Sequence, residues 1–423
     1  MASSTLGRLV VIGQGYVGLP LALRAAEVGY DVVGFDVDGA KIKRLESGES
    51  PIEDISDTRL QAALDAGTYR PTVEQGALAG FDVAVVTVPT PLTGGTPDLS
   101  HITSAAELLG ATLRPGATVV LESTTYPGTT EELVLPLLES GSGLIGGRDF
   151  HLGYSPERID PGNPVWRFEN TPKVVSGIDQ ASLEAVAGFY DRLVSETVPV
   201  SSPAEAELTK LLENTFRHVN IALVNELAMY AHDLGIDVWE AIDAASTKPF
   251  GYLRFTPGPG VGGHCLPIDP SYLSWRVRQS LGVPFRFVEL ANDVNAHMPD
   301  YVVRRLVLAL NQQGLAVNGQ RILLLGMAYK RNTGDARETP SRPIARKLVE
   351  LGAEVLMADP HVDDRSLPAG VVRVDPTPEV VSSATAVVLL VDHDEFDLEA
   401  IAAAATYLLD TRHRVEGPHV EHL

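Results

Sequence analysis

Cysteine is almost absent: Cys265 stands alone among 423 residues. No disulfide can close within such a chain, which excludes a disulfide-stapled secreted scaffold and fits a reducing compartment. Basic residues are also scarce, with 33 Lys and Arg against 55 Asp and Glu and a net charge of −22. That balance argues against nucleic acid as a partner, because phosphates need a basic footprint. It also repels an anionic small substrate at long range, so such a ligand requires a local cluster of Lys and Arg. No apolar run approaches the ~20 residues of a membrane-spanning helix. The opening stretch MASSTLGRLVVIGQG has too short an apolar run for a signal peptide and leads directly into a strand pattern. A cytoplasmic protein of two or three domains is expected.

Glycine-punctuated runs of Val, Leu and Ala point to an α/β class. Residues 8–18 read RLVVIGQGYVG: an apolar strand, then Gly13, Gly15 and Gly18 spaced G-x-G-x-x-G around Tyr16 and Val17, then a helical pattern. The first glycine makes the turn, the second admits a pyrophosphate to the backbone, and the third packs helix on strand. A second strand, DVVGFDVD, carries Asp36, about 20 residues on, where a carboxylate holds a ribose 2′-hydroxyl. No arginine follows to receive a 2′-phosphate, so NAD is expected over NADP. Lys41 can reach the adenosine end or remain a solvated surface lysine.

Further strands are expected within 81–91 and 117–128. Thr90 and Thr124 lie at their C-terminal edges, where an open parallel sheet binds ligands; helix caps or turn residues are the alternative. In SPERIDPGNP the prolines put Glu157 and Arg158 in a loop. Residues 203–232 read as one helix of ~45 Å. Lys210, Asn214, Arg217 and Ile221 share one face of it; Leu208, Leu212, Phe216, Val219, Leu223 and Leu227 form a broad apolar one. Such a helix suits domain joining or dimer formation, and a lysine and an asparagine one turn apart suit oxyanion stabilisation.

The loop PGPGVGGHCLPIDP (257–270) is too rich in proline and glycine for a helix or central strand. It presents Cys265, framed by Gly262 and Gly263, with Asp269 four residues later. A thiol attacks electron-poor carbon, and a nearby carboxylate helps water do the same; a lone cysteine is otherwise a small buried hydrophobe. The last third repeats the α/β pattern, with Gly326 alone left of the glycine fingerprint and Lys330, Arg331, Arg337 and Arg412 at strand ends. Three of the four fall within eight residues, which favours the local basic cluster that a nucleotide diphosphate needs over scattered surface charge.

In order, GQGYVG, SPERIDPGNP, ELTKLLENTFRHVNIALVNELA, GPGVGGHCLPIDP and LGMAYKRNTGDARETPS closely resemble the UDP-glucose/GDP-mannose dehydrogenase superfamily over essentially the whole chain. The resemblance implies two Rossmann-like, doubly wound parallel-sheet domains joined by a central helical dimerisation domain. Their expected bounds are 1–202, 203–300 and 318–423. It implies Cys265 as nucleophile, Lys210 and Asn214 as oxyanion partners, and Asp269, Glu157 and Thr124 in proton transfer. NAD would be held by Gly13, Gly15, Tyr16, Val17, Gly18, Asp36, Lys41, Thr90, Thr124 and Arg337. The nucleotide sugar would meet Glu157, Arg158, Lys210, Asn214, Lys248, Arg254, Gly262 and Lys330. SPERIDPGNP and PGPGVGGHC look most like the branch that acts on UDP-N-acetylhexosamines. Pro161 stands where some relatives carry a second acid, which leaves UDP- or TDP-glucose and GDP-mannose open. No metal is implied. A β-hydroxyacid-type dehydrogenase, with one hydride per substrate, and a non-catalytic NAD sensor are the rival readings.

Overall fold

The run RLVVI forms strand β1 (Arg8–Ile12), and its side chains divide between two apolar cores: Leu9 and Val11 enter one, Val10 and Ile12 the other. Alternation with both faces covered is how a parallel strand is buried. β2 (Asp31–Phe35), β3 (Tyr69–Thr72), β4 (Val83–Val86), β5 (Thr118–Leu121) and β6 (His151–Tyr154) complete a parallel sheet in the order β3-β2-β1-β4-β5-β6. The order reverses between β1 and β4, so the crevice beyond their C-terminal ends is the ligand position of this topology. A two-stranded parallel ribbon joins β7 (Lys173–Val175) to β8 (Thr197–Pro199).

The computed structural model describes residues 5–52, 55–159, 163, 165–263 and 266–423. The chain divides into two compact units, Met1–Glu213 with Trp275–Gly282, and Asn214–Ser274 with Val283–Leu423. In the second unit, β9 (Arg321–Leu325), β10 (Glu354–Ala358), β11 (Val371–Arg373), β12 (Ala386–Leu389), β13 (Leu408–Asp410) and β14 (Val420–His422) are parallel in the order β11-β10-β9-β12-β13-β14. This is the strand order of the first sheet over again. Ile322 and Leu324 enter one core and Leu323 and Leu325 the other, the same alternation as in β1.

Three helices carry the remaining site residues. α1 (Gly18–Val28) follows β1, and α2 (Pro203–Asp233) is the long helix expected from the sequence, with Pro203 at its first position. Its apolar stripe is open on this chain: Leu212, Phe216, Leu223 and Leu227 are 62, 44, 52 and 48 % exposed. α3 (Asp269–Leu281) begins four residues after Cys265. A second long helix, α4 (Arg286–Gln312), holds Pro299 inside it. Proline has no N–H to give the carbonyl four residues back, and the Asn295 carbonyl so released faces Gly260, where a Cβ would lie 3.3 Å from it. No helix among the described residues is long and apolar enough to cross a membrane.

Candidate active site

The glycine turn after β1 is tight at both ends and open in the middle. Gly13 has φ of 94°, and a Cβ there would strike the Thr87 carbonyl. At Gly18 a Cβ would collide with the Gly13 carbonyl, whereas at Gly15 it would meet nothing within 4 Å. Tyr16 and Val17 complete the turn, both half-buried. That open cradle at the start of α1 fits a pyrophosphate. Asp36, one residue past β2 and buried, accepts the Gln14 and Asp38 amides at 2.9 Å each and the Lys41 ammonium at 2.7 Å. Lys41 is thus held on Asp36 itself. A carboxylate has about four lone-pair sites; three donors leave one for a ribose hydroxyl, so the residues present fit a dinucleotide. Thr90 is buried beyond β4, and Thr124 half-buried beyond β5.

In the same unit the Lys210 ammonium, buried, donates to the Glu157 carbonyl at 2.5 Å. The Glu157 carboxylate accepts the Ile159 amide through Oε1. Its Oε2 is buried without a hydrogen-bond partner, 3.8 Å from the Lys173 ammonium. Burial pushes the Glu157 carboxyl up, against the opposing pull of the Lys210 charge. Arg158 is tied into the scaffold, donating to the Pro172 carbonyl at 2.6 Å and to Glu213 at 2.7 Å.

Beneath Glu157 lies a group that motif reading does not reach. Lys173 and Glu122 form a buried ion pair; Tyr190 donates to Glu122 Oε2 at 3.0 Å, and Lys173 to the Pro156 carbonyl at 3.1 Å. Burial pushes the Lys173 ammonium well down, and the like charge of Lys210 adds to this. A charge inside each of the apolar runs ATVVLE and KVV is the sequence signal for such a pair. Glu207, also buried, accepts the Gly128 amide at 2.6 Å and the Thr130 amide at 2.9 Å, and so caps the π-helical turn Thr130–Val134. Burial raises its carboxyl to about 7.

In the second unit Asn214 donates through Nδ2 to Asp269 Oδ2 at 2.6 Å, and both are buried. Asp269 opens α3, where the positive end of the helix dipole favours a carboxylate. The loop before it is pinned by buried amides: Asn225 accepts the Gly258 amide at 2.9 Å and donates to Asn295 at 2.9 Å. At Gly262 a Cβ would come 2.8 Å from Tyr329 Cβ, so only glycine fits. His218 bonds Asn292 at 2.8 Å, and burial lowers its pKa, which keeps the ring neutral. Cys265 lies outside the described residues, as does Pro161. Arg217 is exposed, apart from the buried Asn214 whose helix face it was expected to share. Lys248 and Arg254 are exposed; Lys248 lies over the Phe250 ring at 4.9 Å, and Arg254 pairs with Asp243.

The basic residues expected at the ends of the second sheet are partly neutralised by acids. Arg331 pairs with Asp394, and Arg337 with Asp335 at 2.6 Å. Arg412 donates to the Leu390 carbonyl at 2.6 Å and lies against Gly258, where a Cβ would be 3.2 Å from its guanidinium. Lys330 is half-buried beyond β9. Asp359, which the sequence reading did not single out, follows β10 as Asp36 follows β2. It accepts amides from Met327 (2.6 Å), Ala328 (2.9 Å), His361 (2.8 Å) and Val362 (2.9 Å), with His393 at 3.1 Å.

Three family models match in order: the UDP-glucose/GDP-mannose dehydrogenase NAD binding domain over residues 7–194, the central domain over 204–297 and the UDP binding domain over 323–416. The chain is 36 % identical over 419 residues to a UDP-N-acetyl-D-mannosamine dehydrogenase of Pyrococcus horikoshii, covering 98 % of this chain and 97 % of that one. It is 38 % identical over 393 residues to a UDP-N-acetyl-D-glucosamine 6-dehydrogenase of Pseudomonas aeruginosa, covering 92 % and 91 %. Among solved structures, the UDP-D-ManNAc dehydrogenase of P. horikoshii superposes with a TM-score of 0.90 at 34 % identity, covering 98 % of each chain. A UDP-glucose dehydrogenase of Pyrobaculum islandicum gives 0.89 at 28 % identity, covering 100 % of this chain and 98 % of that one.

Proposed function

The chain belongs to the UDP-glucose/GDP-mannose dehydrogenase family, and from that premise we propose that it oxidises the C6 alcohol of a UDP-N-acetylhexosamine to the uronic acid. It is an NAD-dependent nucleotide-sugar dehydrogenase. The two relatives named above support the acetamido sugar over UDP- or TDP-glucose. The proposed regions are 1–202 for NAD, 203–300 for dimerisation and the cysteine loop, and 318–423 for the nucleotide.

The observation that carries the reading is the Asn214–Asp269 hydrogen bond of 2.6 Å, which fixes a buried carboxylate four residues after the chain's one thiol. NAD would be held by the Gly13–Gly18 turn and Asp36, with Thr90 and Arg337 as further contacts, and two NAD molecules bound in turn would each accept one hydride. Glu157, or a water that Thr124 would hold, takes the C6 hydroxyl proton. The Cys265 thiolate then forms a C–S bond to the C6 aldehyde, and the oxyanion is met by Lys210 and Asn214. Lys210 has N–H groups left after its bond to the Glu157 carbonyl. Oxidation of the thiohemiacetal leaves a thioester. Asp269 takes a proton from water as it attacks, the C–S bond breaks, and acid and thiol are released. Lys330, Arg158, Lys248, Arg254 and the backbone at Gly262 are the proposed sugar-nucleotide contacts.

A panel of UDP-GlcNAc, UDP-ManNAc and UDP-glucose with NAD tests this. The expected result is two NADH per acetamido sugar with no free aldehyde, and near-complete loss of turnover in Cys265→Ser. Wild-type turnover and stoichiometry in that variant would remove the thioester route and leave Cys265 a packing residue. One NADH per substrate would favour the β-hydroxyacid type.

A further inference from the structure

Two clusters of metal-ligating side chains occur among the described residues. The first, His361, His393 and Glu395, is already engaged in hydrogen bonds. His393 accepts the Asn332 amide at Nδ1 (3.0 Å) and bonds Asp359 through Nε2 (3.1 Å), and His361 Nε2 already holds Glu395.

The second cluster joins His413 and Glu416, in the turn after β13, to His422 on β14, and its ligand atoms lie within 4.8 Å of one another. His422 donates from Nε2 to the Val415 carbonyl at 2.9 Å, with the buried Asp410 carboxylate at 4.0 Å on the same side. With Nε2 protonated, Nδ1 is the lone-pair nitrogen of a neutral ring. A histidine oriented by a carbonyl on its far nitrogen is the arrangement that prepares an imidazole for a metal. His413 Nδ1 is buried with no hydrogen-bond partner. Its backbone is held at φ 54°, and its ring stacks on Trp239 at 4.8 Å with 10° between planes. Trp239 in turn donates to the Leu423 carbonyl at 3.2 Å. A strained backbone and a fixed ring thus hold a nitrogen that has nothing to bond.

We propose that His413, Glu416 and His422 bind one divalent transition-metal ion of the zinc class, clamping β14 to the turn that follows β13. Two imidazoles and a carboxylate suit zinc, and water completes four-coordination. The bound ion relieves the orphaned polar group of His413, and the chain's excess of acids favours a cation approaching it.

Chelator-treated full-length protein is titrated with zinc chloride by calorimetry in a Cys265→Ser background, which removes the thiolate as a competing ligand. One equivalent is expected to bind. His413→Asn, chosen because asparagine tolerates positive φ, and His422→Gln should each weaken binding by about tenfold or more, while His361→Gln should leave it unchanged. Zinc should raise the melting temperature of the background protein and of neither weakened variant. Absence of saturable binding, or binding that both variants leave intact, overturns the proposal.

Discussion

The ammonium of Lys173 and the carboxylate of Glu122 bond to each other with neither side chain reaching solvent, their exposures being 4 % and 0 %. Removing one partner from a buried pair leaves an uncompensated charge, at a cost of about 3–5 kcal/mol, whereas replacing both is often close to neutral. Lys173→Met is therefore expected to unfold at markedly lower urea concentration than wild type, and Lys173→Met/Glu122→Gln to recover most of the loss. Equal midpoints for the single and double variants would show that the pair is not coupled.

Glu207 gives the stability a pH dependence of definite sign. Its carboxyl is raised from 4.5 to about 7 by burial, against the hydrogen bonds it accepts from Thr130 and Gly128. Between those values the unfolded chain has released the proton and the folded chain retains it. Stability therefore falls as pH rises through that window and levels off above it. Glu207→Gln removes this component, so relative to wild type it should gain up to about 3 kcal/mol between pH 4.5 and 7. Parallel stability-versus-pH curves for the two proteins would rule the shift out.

Cofactor choice should turn on the ion pair at the end of β2. Lys41 lies 2.7 Å from Asp36, whose charge repels a 2′-phosphate. Asp36→Ala frees that ammonium, so the ratio of kcat/KM for NADP over NAD should rise by at least about tenfold, one such charge contact being worth on the order of 1.4 kcal/mol. Adding Lys41→Ala should cancel the gain. An unchanged ratio in Asp36→Ala would remove the role given to the acid.

The open stripe on α2 points to self-association, since contiguous exposed apolar surface on this scale marks an interface. A homodimer or larger even assembly is expected, and Leu223→Glu/Leu227→Glu should shift it toward monomer in sedimentation equilibrium at micromolar concentration. A wild-type protein that is already monomeric and fully active would refute it.

Local backbone features were legible in the sequence. The glycine turn, Asp36, the strand ends and the start of α2 at Pro203 each depend on a few neighbouring residues with a fixed backbone demand. α4 runs for 27 residues with Pro299 inside it, and a proline within a helical pattern argues locally against a helix. The Asn295 carbonyl that the proline releases lies beside Gly260, distant in sequence. Glu122, Lys173 and Glu207 were missed for a similar reason. A charged residue reads as solvated until the partner that lets it be buried is known, and those partners lie 51 and 77 residues away. The basic cluster at the second sheet was legible as residue types, but the pairing of Arg331 and Arg337 with nearby acids was not.

Asp36 and Asp359 occupy one address in two sheets of one strand order, yet their surroundings differ. Asp36 serves three donors, whereas Asp359 is ringed by four amides and a histidine, which saturates the lone pairs a carboxylate has. The two sheets share one strand order, and the acid of the second is turned inward to hold its own turn. One acceptor position stays open on the first acid and none on the second. The dinucleotide role proposed above therefore falls to the first sheet, even though the architecture appears twice.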